Sequence, residues 1–252
     1  MSRILKYIKY LIAVVFIIPL FIVVYLLIEL GNFILYKMGK VMAAEKYKSA
    51  MVHFIVRWIN FFLGIRLKVE GRENLPPIMS GGAIVANHQS LLDCVVIEGT
   101  GAWCGFVGKA ELKKVPVLNG FFRVINGVFI DRKSPRDSIK AILTASNNIK
   151  KGYVMAIFPE GTRSKDGEVH EFKAGSFKMA TRAGAPIYPV AIYGTRNILE
   201  TCRSIFPQKV YVACAPAIET KGLSEDELKE IHTLAENKVR ELYEELRAKY
   251  KK

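Results

Sequence analysis

The pattern of hydrophobic and polar positions changes character near residue 65. Before it, apolar residues run almost unbroken, and Leu11 to Ile28 is eighteen residues without a charge. As a helix this run rises about 27 Å, close to the thickness of a bilayer's hydrocarbon core, and Pro19 predicts a kink within it. It is too long for a cleavable leader, and no small-x-small site follows it. Between Met51 and Ile65, His53, Arg57, Asn60 and Gly64 recur at helical spacing among Phe54, Ile55, Trp58, Ile59, Phe61 and Phe62. That pattern predicts a second helix with a narrow polar stripe facing water and a broad aromatic face at a membrane interface; packing on the following domain is the alternative. Basic residues flank the first run on both sides, Arg3, Lys6 and Lys9 before it and Lys37, Lys40, Lys46 and Lys48 after it. Charge asymmetry therefore gives no direction of insertion. The combination predicts a monotopic anchor over residues 1–64, entering and leaving one leaflet, in preference to a single span.

Residues 65–252 read as a second domain in which short apolar runs alternate with helical segments. Arg66 to Glu70 alternates like a strand, and Gly71 to Pro77 is turn-rich punctuation. Further strands are predicted at Ile84–Ala86, Phe106–Val107, Val128–Ile130, Val154–Phe158, Ile187–Ile192 and Val210–Cys214. Helices are predicted from Ser90, over Ser134–Lys150 with a Ser134 cap, Pro135 in the first turn and Asp137 completing a capping box, over about Ala174–Ala183, and from the Ser224 to Glu227 capping box onward. Such alternation predicts an α/β fold, a mixed sheet covered by helices, with functional loops at strand ends.

Charge narrows the partners. The chain carries 37 Lys and Arg against 23 Asp and Glu, a formal +14, with 51% hydrophobic residues. The excess is spread evenly, without a basic block, and the aromatics concentrate in the N-terminal segment. An anionic membrane surface or an acidic partner fits this better than nucleic acid, which would call for basic residues interleaved with exposed aromatics. The four cysteines, Cys94, Cys104, Cys202 and Cys214, form no CxxC pair and no zinc-like spacing, so reduced and mostly buried thiols are expected.

Candidate chemistry starts at Asn87-His88-Gln89-Ser90-Leu91-Leu92-Asp93, where an apolar strand meets a helix start. Residues five apart on a regular helix diverge by about 140°, so His88 and Asp93 meet only if His88 stays in the loop and Asp93 enters the first helical turn. A carboxylate on one ring nitrogen would then leave the other free to take a proton. Two more strand ends deliver arginines, Gly127 to Arg132 and Phe158 to Ser164, the latter with Glu160, Gly161, Thr162 and Arg163. Arginine presents a planar fork matched to phosphate oxygens, and Gly161 lets backbone approach closely. Lys109, just past another strand, could add charge. Taken singly, each of these is as readily a surface ion pair. Ala185 to Ala191, with Pro189, is apolar throughout and reads as a core strand bearing an edge proline, or as the wall of a hydrophobic channel.

NHQSLLD, GVFIDR, FPEGTRS and APIYPVA, in this order and at these intervals, resemble the four blocks of the glycerolipid acyltransferase family, most closely its bacterial 1-acyl-sn-glycerol-3-phosphate acyltransferases. The resemblance covers roughly Ala83 to Tyr193. It implies transfer of a fatty acyl group to the sn-2 hydroxyl of lysophosphatidic acid, giving phosphatidic acid. It further implies His88 as general base and Asp93 as its orienter. Arg132, Glu160, Gly161, Thr162 and Arg163 would lie at the glycerol-phosphate site with Lys109 nearby, Glu160 organising the arginines, and Pro189 would lie near the acyl chain. The donor would be a thioester of acyl carrier protein or coenzyme A, with no metal or other cofactor, and oxyanion donors would come from backbone amides near the histidine motif. The place of action would be the cytoplasmic face of the inner or plasma membrane. Glycerol 3-phosphate or another lysophospholipid is the alternative acceptor, and a non-catalytic lipid-binding membrane protein the alternative class.

Overall fold

The computed structural model describes residues 2–201 and 207–250. Two helices come first: α1 (Ser2–Lys37) and α2 (Val41–Leu63). They are joined by three residues, with Gly39 at a positive φ of 69°, and pack side by side as a hairpin. Seven strands follow, β1 (Ile65–Glu70), β2 (Gly82–Ala86), β3 (Gly105–Lys109), β4 (Val128–Ile130), β5 (Val154–Ile157), β6 (Ile187–Tyr193) and β7 (Gln208–Cys214). Between and after them lie α3 (Asp93–Gly99), α4 (Pro116–Val124), α5 (Pro135–Lys150), α6 (Lys178–Thr181) and α7 (Glu225–Tyr250). The strands form one sheet in the order β1-β7-β6-β2-β5-β3-β4, parallel except for the antiparallel β6–β7 pair. A mixed α/β sheet covered by helices is therefore present.

Parallel pairing of β2, β5, β3 and β4 has a direct consequence for function. Their C-terminal ends share one edge, so the loops carrying His88, Glu160, Lys109 and Arg132 converge there although up to 72 residues separate them. Asn87 extends β2 with its side chain: Nδ2 donates to the Ile192 carbonyl at 2.9 Å and Oδ1 accepts from the Ile192 amide at 2.8 Å. That bidentate grip fixes where the strand stops and the His88 loop starts.

Several predicted elements shift. The third helix begins at Asp93, three residues after Ser90, because the Ser90 side chain and the Asp93 carboxylate engage the amides of Leu92, Gln89 and Ser90 in a turn. The segment predicted as one helix from Ala174 is a 3₁₀ turn, Ala174–Phe177, followed by the short α6. Pro189 is not on an edge strand, since β6 lies between β7 and β2. Its missing N–H is tolerated because the β7 ladder begins only at the next residue, Val190, opposite Cys214. The capping box predicted at α7 forms in full, and at α5 only the Ser134 half of the box predicted with Asp137 is present. Ser134 Oγ accepts from the Asp137 amide at 3.2 Å, and at α7 the Ser224 amide donates to Glu227 at 2.7 Å while the Glu227 amide donates back at 3.3 Å.

The N-terminal helices are longer than the apolar runs predict. α1 passes through Pro19 without interruption, and its window Ile18–Lys37, 20 residues of mean hydropathy 2.3, is long and apolar enough to cross a membrane. α2 uses Val52, Ile55 and Val56 to pack on the sheet domain, while Phe54, Trp58 and Phe61 stay exposed. Its polar stripe does not simply face water. Arg57 does, but His53 turns inward, its Nε2 2.9 Å from the Ala102 carbonyl and 3.5 Å from buried Glu98 on α3. A second polar pin holds the same helix: Glu45 and Lys48 pair at 2.7 Å, nearly water-free, and the Trp103 indole N–H donates to Glu45 at 3.0 Å.

Two cores result, one on each face of the sheet. The hairpin, α3 and α4 cover Ile84, Phe106, Ala156 and Phe158; α5, α6 and α7 cover Val85, Val107, Met155 and Ile157. Alternation of side chains along each strand divides these residues between the faces. Cys104 and Cys214 are buried and Cys94 half-buried, all as free thiols. Burial pushes the Cys214 thiol up to about 12 and those of Cys94 and Cys104 upward too, so none of the three is a poised nucleophile. Cys202 lies outside the described residues.

Candidate active site

His88 sits in the loop and Asp93 at the first position of α3, and the two meet: Nδ1 lies 2.8 Å from Asp93 Oδ2. A carboxylate only accepts, so Nδ1 carries the proton, and in the neutral imidazole Nε2 keeps its lone pair. Among the described residues Nε2 has no protein partner. The same Oδ2 accepts from the amides of Gln89 at 2.7 Å and Ser90 at 2.8 Å. Asp93 is fully buried, held in place by three donors, and in turn fixes the imidazole.

Three further contacts lock the ring. It stacks on Phe158 with centroids 4.1 Å apart and planes 12° from parallel. The His88 amide donates to Glu160 Oε1 at 2.8 Å, and the His88 carbonyl accepts from the Ser164 amide at 2.8 Å. The histidine loop and the loop after β5 are thereby stitched together. Glu160 is nearly solvent-free and its Oε2 has no protein partner, so burial pushes its carboxyl up to about 7. Glu160 thus organises the His88 backbone, not the arginines as the motif alone suggests.

The remaining predicted residues divide. Arg132 reaches across to donate to the Gly161 carbonyl, with no carboxylate partner among the described residues. Gly161 has a φ of 75°, a conformation that favours glycine. Thr162 and Arg163 are exposed beside it, with Arg163 paired to Glu200 at 3.2 Å; Glu200 also accepts from the Leu91 amide at 3.1 Å. Lys109, the last residue of β3, pairs with Glu111 at 2.9 Å. These exposed ion pairs are weak enough for an anionic substrate to displace. Pro189 lies opposite Val85, one residue short of the end of β2. It is buried within β6, its carbonyl accepting from the Ala215 amide at 3.0 Å.

The motif's own amides are not free to stabilise an oxyanion. Those of His88, Gln89, Ser90, Leu91 and Leu92 are engaged by Glu160, Asp93, Glu200 and Ser90. Among the described residues no group of three His, Cys, Asp or Glu is placed to hold a metal.

Sequence reasoning missed the outer support. Gln89 Nε2 donates to the Tyr243 hydroxyl at 2.8 Å and to the Gly167 carbonyl at 3.0 Å, and the Tyr243 hydroxyl donates to Gly167 at 2.5 Å. α7 also grips the loop after β5 through Arg240 to the Val169 carbonyl at 2.7 Å, Glu236 from the Phe172 amide at 2.8 Å, and Arg247 to Glu168 at 2.9 Å. Partners 154 residues apart leave no local pattern; the only signal was a Glu- and Lys-rich amphipathic helix with an unexplained tyrosine.

Comparisons with known proteins give the chain's family. The acyltransferase family profile matches residues 66–193. A 1-acyl-sn-glycerol-3-phosphate acyltransferase of Borreliella burgdorferi is 34% identical over 70% of this chain and 71% of its own length. A chloroplastic one from Brassica napus is 32% identical over 64% of the chain, and the chain spans about half, 48%, of that relative. The crystal structure of the 1-acyl-sn-glycerophosphate (LPA) acyltransferase PlsC from Thermotoga maritima superposes with a TM-score of 0.78 at 32% identity, covering 100% of this chain and 98% of that one. With the Asp93-held His88 at a strand edge shared by the Arg132 and Arg163 loops, and with these likenesses in sequence and fold, the chain belongs to the acyltransferase family.

Proposed function

We propose that the protein transfers a fatty acyl group from an acyl thioester to the sn-2 hydroxyl of 1-acylglycerol 3-phosphate, forming phosphatidic acid. The observation that carries this reading is the imidazole of His88, held through Nδ1 by Asp93 with Nε2 open. The acceptor hydroxyl gives its proton to Nε2 as its oxygen attacks the thioester carbonyl. The C–O bond forms, the C–S bond breaks, and His88 returns the proton to the departing sulfur. A thioester is already activated, so the chemistry asks for positioning and a base and requires no metal or further cofactor. Arg132, with Arg163, Lys109, Thr162 and the Gly161 turn, holds the glycerol phosphate. The relatives' names and the resemblance of the four motifs support this choice of acceptor.

The acceptor is a lipid, and the hairpin supports its delivery from a membrane. Leu26, Phe33 and Phe61 are 61%, 60% and 71% exposed, an outer surface suited to acyl chains. The hairpin acts as a monotopic anchor at the cytoplasmic face of the cell membrane, with the positive net charge favouring anionic lipids. The test is purified protein in vesicles with lysophosphatidic acid, or glycerol 3-phosphate in its place, and acyl thioesters, products being identified by mass. Phosphatidic acid should appear with the lysolipid, and His88→Ala should lower turnover by roughly a thousandfold. Acylation of glycerol 3-phosphate in preference, or a His88→Ala enzyme within tenfold of wild type, would overturn the reading.

A further inference from the structure

A cavity of about 370 Å³ opens at the active-site edge, but on the face of the sheet opposite the hairpin. Its floor and walls are apolar, from Ile130 and Ile157 of the sheet and Ile142 and Leu143 of α5. Around it stand four cations, Lys173, Lys178 and Arg182 together with Arg132, which with Gly161 also belongs to the acceptor's phosphate site, so that the two substrates would meet at that end of the cavity. Unlike Lys109 and Arg163, none of these four has a carboxylate partner among the described residues. Its inner end is formed by Phe158, Pro159 and Gly161, at the strand end whose Phe158 ring carries His88 on the hairpin side. An apolar slot of this size with unpaired positive charge at its mouth, ending at the strand edge that also carries His88, suits an elongated molecule with an anionic phosphate at one end and its reactive group at the other.

Position decides between the two substrates of the proposed reaction. The lipid acceptor arrives on the hairpin face, where the exposed apolar residues are; the cavity lies under α5 and α6, whose outer surfaces carry Lys140, Lys150, Lys178 and Arg182. On the acyltransferase reading, we propose that this cavity receives the phosphopantetheine arm of the acyl donor. Its phosphate sits among Lys173, Lys178 and Arg182, its methylene and dimethyl groups lie against the α5 isoleucines, and its thioester reaches the Phe158–Gly161 edge. Coenzyme A and acyl carrier protein present the same arm, followed in both by further negative charge. After transfer the arm's sulfur holds the proton from His88, and the free thiol leaves by the way it entered.

Two variants and two readouts test this. Lys178→Glu with Arg182→Glu reverses charge at the mouth, and Leu143→Trp fills the slot without altering charge. Each should raise the KM for acyl donor roughly tenfold, with a smaller change in the KM for lysophosphatidic acid. Calorimetric titration of coenzyme A, holo-acyl carrier protein, 4′-phosphopantetheine and pantetheine reads binding without turnover. Phosphopantetheine should bind wild type and be weakened in both variants, pantetheine should bind poorly, and comparing the two carriers shows which source of the arm is preferred. Unchanged donor KM and unchanged coenzyme A binding in both variants would sink the inference while leaving the acyltransferase reading intact. A rise confined to the KM for lysophosphatidic acid would assign the cavity to the acceptor. Phosphopantetheine binding that both variants weaken, in a wild type that transfers no acyl group, would sustain the cavity and reject the activity.

Discussion

The two faces of the sheet are built on opposite principles. On the hairpin face, apolar side chains both fill the core and remain outside it, and polar groups are buried inside as pins: Glu45 with Lys48 and Trp103, and His53 with Glu98. On the α5–α7 face the pattern is conventional, with apolar residues inside and a charged exterior laced by pairs such as Lys238–Glu241 at 2.8 Å. A hairpin whose outer surface suits lipid gains little specificity from hydrophobicity, because its apolar residues would be as content facing outward. Buried polar partners supply the register that the hydrophobic effect cannot. The active site lies where the two faces meet, at the strand ends.

Breaking the pins should therefore be the most damaging. Glu45→Ala leaves the Lys48 ammonium, 7% exposed, without its counter-charge, and should cost about 3–5 kcal/mol of stability in detergent-solubilised protein. A melting temperature equal to wild type would show that apolar packing alone fixes the hairpin. At the junction of the faces, Glu160→Gln keeps an acceptor for the His88 amide but removes a carboxyl that the fold raises to about 7. Because folding raises this group's pKa from its ordinary 4.5, ionisation opposes folding. The wild type loses stability as pH rises between these two values, and above them the penalty is full. The variant should be equal to wild type at pH 4 and more stable by about 2 kcal/mol at pH 8; parallel stability curves would reject the burial argument. The smallest effect belongs to the helix that clamps the water-facing side. Tyr243→Phe removes the hydroxyl joining Gln89 to Gly167 and should cost about 1 kcal/mol, with a several-fold fall in kcat at little-changed KM. A variant as unstable as Glu45→Ala would erase the contrast between faces.

Much of the site was legible because the sequence concentrates it. His88 and Asp93 lie five residues apart, so geometry at a strand-to-helix junction predicts their pairing, and the structure shows it. Arg132 and the Phe158–Ser164 loop were legible as polar turns following apolar strands, since parallel strands deliver such loops to one edge. Glu160 was placed in the site but given the wrong neighbour, because its partner, the His88 amide, is a backbone group that any residue could supply. The His53 pin was read as a water-facing stripe because helical periodicity reports which residues share a face, not what lies opposite.

The sequence by itself determined the local elements, the helix caps, the strand ends that carry polar chemistry and the pairing of His88 with Asp93, all set by interactions within a few residues. Only the tertiary structure decided which face of α2 turns inward, that Tyr243 supports Gln89 from 154 residues away, and that unpaired cations from the loop after β4, from α6 and its C-terminal end, and from the loop between β5 and α6 surround one apolar cavity. Those depend on sheet order and on contacts between distant segments, where one pattern of hydrophobic positions is compatible with many partners and the final packing selects one.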